Sequence, residues 1–129
     1  MPNAPTPRPT VLIVDDDQEF LDSLKLVLEV AGFAVVTAEN GVRGLQAFRN
    51  RGPSVVLIDI VMPKLDGIEA ARQMHRERPD AKIVVMSGGP RPGKVELSAA
   101  ARDLGAVAAL EKPFDPAQLT TMLRELIAK

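Results

Sequence analysis

The sequence predicts an α/β protein built around a single parallel sheet. Five short apolar segments recur along its 129 residues, and helical patterns fill the intervals between them. The segments are continuously apolar instead of alternating with polar residues, as is typical of strands buried on both faces of a parallel sheet. Five strand–helix repeats favour right-handed crossovers, which place helices on both faces of that sheet.

The five predicted strands differ in strength. The first four are rich in branched aliphatic residues, whereas the fifth is weak because alanine is a poor strand former. In chain order they are VLIV at 11–14, AVV at 34–36, SVVLI at 54–58, KIVVM at 82–86 and VAAL at 107–110. With 46% hydrophobic residues, the chain can bury the core of one domain.

The helices are predicted from their apolar stripes and from the residues at their ends. Gly32 is expected to cap the first helix, Gly52 ends the second and Gly105 follows the fourth. The third helix stops before Pro79. The fifth has the clearest start, because Asp115 is a favourable N-cap and a proline occupies the first helical position after it.

Composition and the chain start narrow the functional classes. Sixteen Lys and Arg residues balance 17 Asp and Glu residues, and this formal net charge of -1 gives no sign of a nucleic-acid or membrane partner. Cysteine is absent, which excludes disulfides and thiolate metal sites. Residues 1–9 are predicted to be a disordered, proline-rich tail without the apolar segment of a signal peptide, and residues 10–129 the folded domain. A cytoplasmic protein is expected.

Polar and charged side chains follow four of the five predicted strands. Asp15 and Asp16 follow the first strand, Asp59 the third, Ser87 the fourth and Lys112 the fifth. Because ligands of open parallel sheets bind beyond the carboxyl ends of the strands, these side chains are expected to share one site. Each taken alone also has a structural interpretation, such as a helix cap or a turn residue.

An all-oxygen set of carboxylates suits a hard divalent cation such as Mg²⁺. Two unit charges about 4 Å apart repel by roughly 4 kcal/mol at an effective dielectric constant near 20, so an empty carboxylate trio is expected to be under electrostatic stress. With a metal bound, one carboxylate can attack a phosphoryl group and form an aspartyl phosphate. A lysine and a hydroxyl would then bind the phosphoryl oxygens. Asp17, just before the first helix, is predicted to be an N-cap instead.

Four motifs in this order carry a family resemblance: VLIVDDD, VLIDIVMPKLDG, VVMSGG and LEKPF. The chain from residue 10 to residue 128 resembles the receiver domain of two-component response regulators, and DIVMPKLDG is the most specific of the motifs. The resemblance implies a flavodoxin-like (βα)5 fold with strand order 2-1-3-4-5. In that order the switch point lies between strands one and three, where the two acidic segments emerge.

The resemblance also implies a role for each acidic residue. Asp59 would be the phosphoacceptor, taking a phosphoryl group from a histidine kinase or a histidine phosphotransfer protein. Mg²⁺ would be held by Asp15, Asp16, Asp59 and the backbone carbonyl of Val61. The domain would assist its own phosphorylation and dephosphorylation without being an enzyme, and would signal to an unknown downstream protein through protein–protein contacts.

The remaining roles fall on strands four and five. Ser87 would be the switch hydroxyl, Lys112 would contact the phosphoryl group, and the peptide bond before Pro113 would be cis. The chain departs from the family pattern at Ala109, where an aromatic residue usually reports phosphorylation to the outer surface. It also departs after Ser87, where Gly88 and the segment GPRPG are expected to delay the fourth helix.

Two other functions remain open. A phosphatase that uses an aspartyl-phosphate intermediate would need a second aspartate two residues after the first, which Asp17 supplies, and a nearby threonine, which DDDQE lacks. A degenerate receiver acting only as an interaction module is favoured by Ala109 alone. His75, in a basic stretch of the third helix, is interpreted as a solvated surface residue.

Overall fold

The computed structural model describes residues 8–63, 66–88 and 94–129. Within these residues, five strands and five helices alternate along the chain. The strands are β1 (Thr10–Val14), β2 (Ala34–Ala38), β3 (Val55–Asp59), β4 (Ile83–Ser87) and β5 (Ala108–Glu111). The helices are α1 (Gln18–Val30), α2 (Gly41–Arg51), α3 (Asp66–Glu77), α4 (Lys94–Leu104) and α5 (Pro116–Ala128). The predicted alternation is confirmed.

The strands form one parallel sheet in the order β2-β1-β3-β4-β5, which confirms the predicted fold class and topology. The register aligns the carboxyl ends of the strands. Val14 at the end of β1 is level with Ile58 in β3, Asp59 is level with Met86, and Ser87 is level with Glu111. The residues that end or follow β1, β3, β4 and β5 are therefore presented at one edge of the sheet.

Two apolar clusters lie on the two faces of the sheet, because alternate residues of each strand point to opposite sides. The three inner strands are almost completely buried. The expectation of burial on both faces is wrong for the two edge strands: in β2 only Ala38 is buried, and in β5 no residue is. As an edge strand, β2 has a neighbouring strand on one side only, so Ala34–Thr37 keep part of their surface exposed.

The predicted helix ends are confirmed where the structure describes them. The carboxylates of Asp17 and Asp115 accept hydrogen bonds from the first turns of α1 and α5. At the end of α1, Gly32 has a φ of 102°, and the N–H of Phe33 donates to the carbonyl of Leu28. This left-handed turn needs glycine, because other side chains are strained at such a φ.

The interpretation of His75 as a solvated surface residue is wrong in part, because the residue is half-buried. Its ring packs against Gly105, so closely that a Cβ atom on that glycine would lie 2.5 Å from the ring carbon Cε1. Its Nδ1 is buried and has no hydrogen-bond partner among the described residues. The absence of a side chain at Gly105, where the chain turns with a φ of 74°, leaves room for the imidazole.

Two predictions fall on residues outside those described. The proline-rich tail at 1–9 falls mostly on residues 1–7, and the loop after Ser87 falls mostly on residues 89–93. Among the described residues, the fourth helix runs from Lys94. Among the described residues, no helix combines the length and apolar character required to cross a membrane.

Candidate functional site

The structure brings the five predicted side chains to the carboxyl edge of the sheet. Asp15 directly follows β1, Asp59 and Ser87 are the last residues of β3 and β4, and Lys112 directly follows β5. One carboxylate oxygen from each of Asp15, Asp16 and Asp59 lies within 4.8 Å of the others. Asp15 and Asp59 are buried, whereas Asp16 is exposed and leaves the cluster accessible from solvent.

Lys112 bridges the two buried carboxylates. Its ammonium group donates hydrogen bonds to Oδ2 of Asp15 and, at 3.1 Å, to Oδ2 of Asp59. The side chains of Lys112, Asp15 and Asp59 are 17%, 1% and 7% exposed, so these ion pairs are little screened by solvent. The expected repulsion among the three carboxylates is therefore reduced, because the ammonium of Lys112 neutralises part of their charge.

The second oxygen of each buried aspartate is used locally. Oδ1 of Asp15 accepts from the N–H of Asp17 at 3.0 Å, and Oδ1 of Asp59 accepts from the N–H of Val61 at 2.7 Å. These short-range bonds fix the carboxylate planes, so that both Oδ2 atoms turn toward Lys112. The site is thus arranged by the backbone immediately after β1 and β3.

Burial and neighbouring charges shift the pKa values of Asp59 and Lys112 in opposite directions. Desolvation raises the pKa of the Asp59 carboxyl above its ordinary 3.8, although the Val61 hydrogen bond and the Lys112 charge lower it. Burial lowers the pKa of Lys112, but the Asp15 hydrogen bond and the charge of Asp59 outweigh it, so the net shift is upward from 10.5. Lys112 is therefore held as a cation at neutral pH.

The hydroxyl of Ser87 is buried at the end of β4. The residue is 2% exposed, and among the described residues nothing hydrogen-bonds to its Oγ. Its carbonyl accepts from the N–H of Lys112 at 2.7 Å, which links the ends of β4 and β5. Because a buried hydroxyl without a partner is unfavourable, an oxygen-bearing ligand at this edge would gain a ready donor.

Other residues of the predicted set are placed as follows. Val61 lies close to the cluster through its N–H bond to Asp59, and its side chain is exposed. The Lys112–Pro113 peptide bond is cis. Ala109 is half-buried on β5, level with Val85, and packs against the core cluster on one face of the sheet.

Gly67 is a residue of the site that sequence reasoning missed. It is the second residue of α3, and a Cβ atom there would lie 1.9 Å from the backbone oxygen of Asp59. Only a residue without a side chain allows α3 to start against the end of β3. A glycine inside a helix is unfavourable by propensity, and this was the available signal.

Phe20 is a second residue of the site that the sequence analysis did not single out. The Nζ atom of Lys112 lies 4.1 Å from the centroid of the Phe20 ring. Phe20 and Phe114 line an apolar cavity of about 460 Å³ beside Lys112, together with Val27 and Pro116. No pattern in the sequence marks this contact, since it joins α1 to the loop after β5.

Comparison with known proteins agrees with this geometry. The family model of the response regulator receiver domain matches residues 11–124. The chain is 34% identical over 119 residues to response regulator MprA of Mycobacterium sp. (strain KMS), an alignment that covers 92% of this chain and 50% of that protein. It is 36% identical over 122 residues to transcriptional regulatory protein FixJ of Bradyrhizobium diazoefficiens, covering 95% and 58%.

A solved structure is also similar over nearly the full chain. The crystal structure of a CheY-like response regulator receiver domain protein from Methanospirillum hungatei superposes with a TM-score of 0.85 and 32% identity, covering 95% of each chain. The chain belongs to the family of response regulator receiver domains of two-component systems. It spans only 50% and 58% of the two longer relatives.

Proposed function

We propose that Asp59 is the phosphoacceptor of this receiver domain, in a reaction that depends on Mg²⁺. The donor is a phosphohistidine on a histidine kinase or a histidine phosphotransfer protein. The observation that carries the proposal is the placement of Asp59, at the end of a buried strand and beside Lys112 and the carboxylates of Asp15 and Asp16. Residues 10–129 form the receiver unit, and its phosphorylated state is read by another protein.

The described residues fit a hard divalent cation. The donor set consists of three carboxylates, with one oxygen from each within 4.8 Å of the others, and oxygen is the ligand that Mg²⁺ prefers. Asp15, Asp16, Asp59 and the carbonyl of Val61 would hold it. When bound, Mg²⁺ supplies positive charge that neutralises the phosphoryl oxygens.

The chain itself supplies the nucleophile and two groups for the phosphoryl oxygens. An Asp59 carboxylate oxygen forms a bond to phosphorus while the bond from phosphorus to the donor nitrogen breaks, and the nitrogen keeps the electron pair. Lys112, already within 3.1 Å of Asp59, places a cation beside the transferred group. The buried hydroxyl of Ser87, without a partner among the described residues, donates to one of its oxygens.

Incubation with acetyl phosphate and Mg²⁺ tests this function. We expect intact-mass spectrometry to show the addition of one phosphoryl group to the wild-type protein and none to Asp59→Asn, which keeps the size of the side chain. Asp80→Asn, at an exposed position before β4, is the matched control and should be phosphorylated like wild type. An unmodified wild-type protein, or equal modification of Asp59→Asn, would contradict the proposal.

Asp16 gives a separate test of Mg²⁺ binding. Mg²⁺ is expected to raise the melting temperature, because a ligand that binds only the folded state stabilises it. Asp16→Asn should reduce this increase, yet change the unfolding free energy without metal by less than about 0.5 kcal/mol, since Asp16 is exposed. Thermal melts with and without Mg²⁺ measure both effects. A full Mg²⁺ response in Asp16→Asn would exclude that carboxylate as a ligand.

A further inference from the structure

Phe20 and Lys112 are in direct contact at the edge of the site. The 4.1 Å between Nζ and the ring centroid lies well within the range of about 6 Å over which an ammonium is attracted to an aromatic face. The same nitrogen donates to Asp15 and Asp59. The ammonium is therefore shared between two carboxylates and one aromatic ring.

The Phe20 ring is fixed by its surroundings. Its backbone N–H donates to the N-cap carboxylate of Asp17 at 3.2 Å, which sets the first turn of α1. The ring of Phe114 meets it edge-to-face, with centroids 6.0 Å apart and planes at 90°. Since this is a favourable aromatic geometry, the pair holds Phe20 with a defined face toward Lys112.

We propose that Phe20 is a positioning residue for Lys112, whose ring holds the ammonium beside Asp59 before and after the carboxylates bind a cation. The inference rests on the function proposed above for Asp59 and Lys112. A divalent cation competes with Lys112 for the oxygens of the aspartates, but it does not compete for the ring, which has no oxygen ligand. The ring contact therefore keeps Lys112 within reach of the phosphoryl group when its ion pairs are exchanged.

A purely structural role must be separated from this one, because Phe20 also packs against an apolar core cluster. Phe20→Leu keeps an apolar side chain of similar size and removes the aromatic face. Phe20→Tyr keeps the face and adds only a hydroxyl. If Phe20 had a structural role alone, Phe20→Leu would be phosphorylated at close to the wild-type rate. If Phe20 positions Lys112, Phe20→Leu should be phosphorylated more slowly than Phe20→Tyr.

Phosphorylation rates provide the first readout. With acetyl phosphate and Mg²⁺, we expect Phe20→Leu to be phosphorylated about three- to tenfold more slowly than wild type, the range set by one partly desolvated cation–π contact. Phe20→Tyr should stay within about twofold of wild type, because the ring face is retained. Equal rates for Phe20→Leu and wild type, or equal losses in both variants, would overturn the inference.

The position of the Lys112 side chain provides a readout that does not depend on phosphorylation. In proton–carbon NMR spectra, the methylene protons next to its Nζ should be shifted upfield by the ring current of Phe20. We expect this shift to persist when Mg²⁺ is added and to be absent in Phe20→Leu. A shift that disappears with Mg²⁺ in the wild-type protein would overturn the inference. If the wild-type protein accepts no phosphoryl group, the proposed function fails, and the spectra still decide where Lys112 lies.

Discussion

Gly67→Ala is expected to destabilise the protein by about 3 kcal/mol or more, at the upper end of the cost of overpacking. A Cβ atom at this position would lie 1.9 Å from the backbone oxygen of Asp59 and 3.0 Å from Cα of Ile60. Both neighbours belong to the main chain at the end of β3, so no side-chain rotation can relieve the clash. α3 would have to move away from the sheet. Urea denaturation measures the loss.

Gly88→Ala is the matched control for this prediction. Among the described residues, a Cβ atom there would meet only the side chain of Lys112, at 3.5 Å, which is an ordinary contact. We expect its unfolding free energy to stay within about 1 kcal/mol of wild type. If Gly67→Ala were as stable as Gly88→Ala, the close approach of α3 to β3 would be incorrect.

Lys112→Met should lower the free energy of unfolding by about 3 kcal/mol at neutral pH. Methionine retains much of the apolar stem, but Asp15 and Asp59 lose their shared cation and stay buried. Removing one partner of a buried ion pair costs about 3 to 5 kcal/mol, and the 17% exposure of Lys112 favours the lower figure. Denaturation at pH 7 measures the difference from wild type.

The pH dependence identifies the cause of this loss. The pKa of Asp59 is raised above 3.8 by desolvation, and it would rise further in Lys112→Met, because the charge of Lys112 lowers it. A carboxyl whose folded-state pKa is raised disfavours the folded state above that pKa, and the penalty decreases as the pH falls through it. The deficit of Lys112→Met should therefore shrink on acidification from pH 7.

The unfolding free energy of wild type should also decrease at alkaline pH. The pKa of Lys112 is raised from 10.5, so its stabilising contribution is complete below that value and is lost as the pH rises through the raised pKa. Lys112→Met should lack this alkaline loss of stability. Lys82→Met is the control, since the Lys82 ammonium donates to main-chain oxygens at the end of α5. A deficit of Lys112→Met that did not vary with pH would contradict an electrostatic origin.

Much of the fold could be predicted because its determinants are local. Continuous apolar runs predicted the inner strands, and capping residues such as Asp17, Gly32 and Asp115 marked helix ends that the structure confirms. The gathering of polar side chains at one edge followed from a general property of parallel sheets. The assignment of a role to each of them came from the family resemblance, and those roles stay predictions.

What could not be predicted depends on contacts between distant segments. The ion pairs of Lys112 with Asp15 and Asp59 join residues 97 and 53 positions apart. The approach of Gly67 to the Asp59 carbonyl depends on where α3 packs, and the packing of the His75 ring depends on the turn at Gly105. The partial exposure of β2 follows from its position at the edge of the sheet. A run of apolar residues does not by itself reveal which strand lies at the edge.

Because Lys112 bridges Asp15 and Asp59, metal binding at the acidic cluster would exchange one bound cation for another. A cation that entered it would compete with an ammonium already bound by Asp15 and Asp59. Its apparent affinity is therefore the difference between two attractions to the same oxygens. A residue that follows β5 would thus set how tightly the carboxylates that follow or end β1 and β3 bind a metal. We expect isothermal titration calorimetry to show tighter Mg²⁺ binding by Lys112→Met than by wild type.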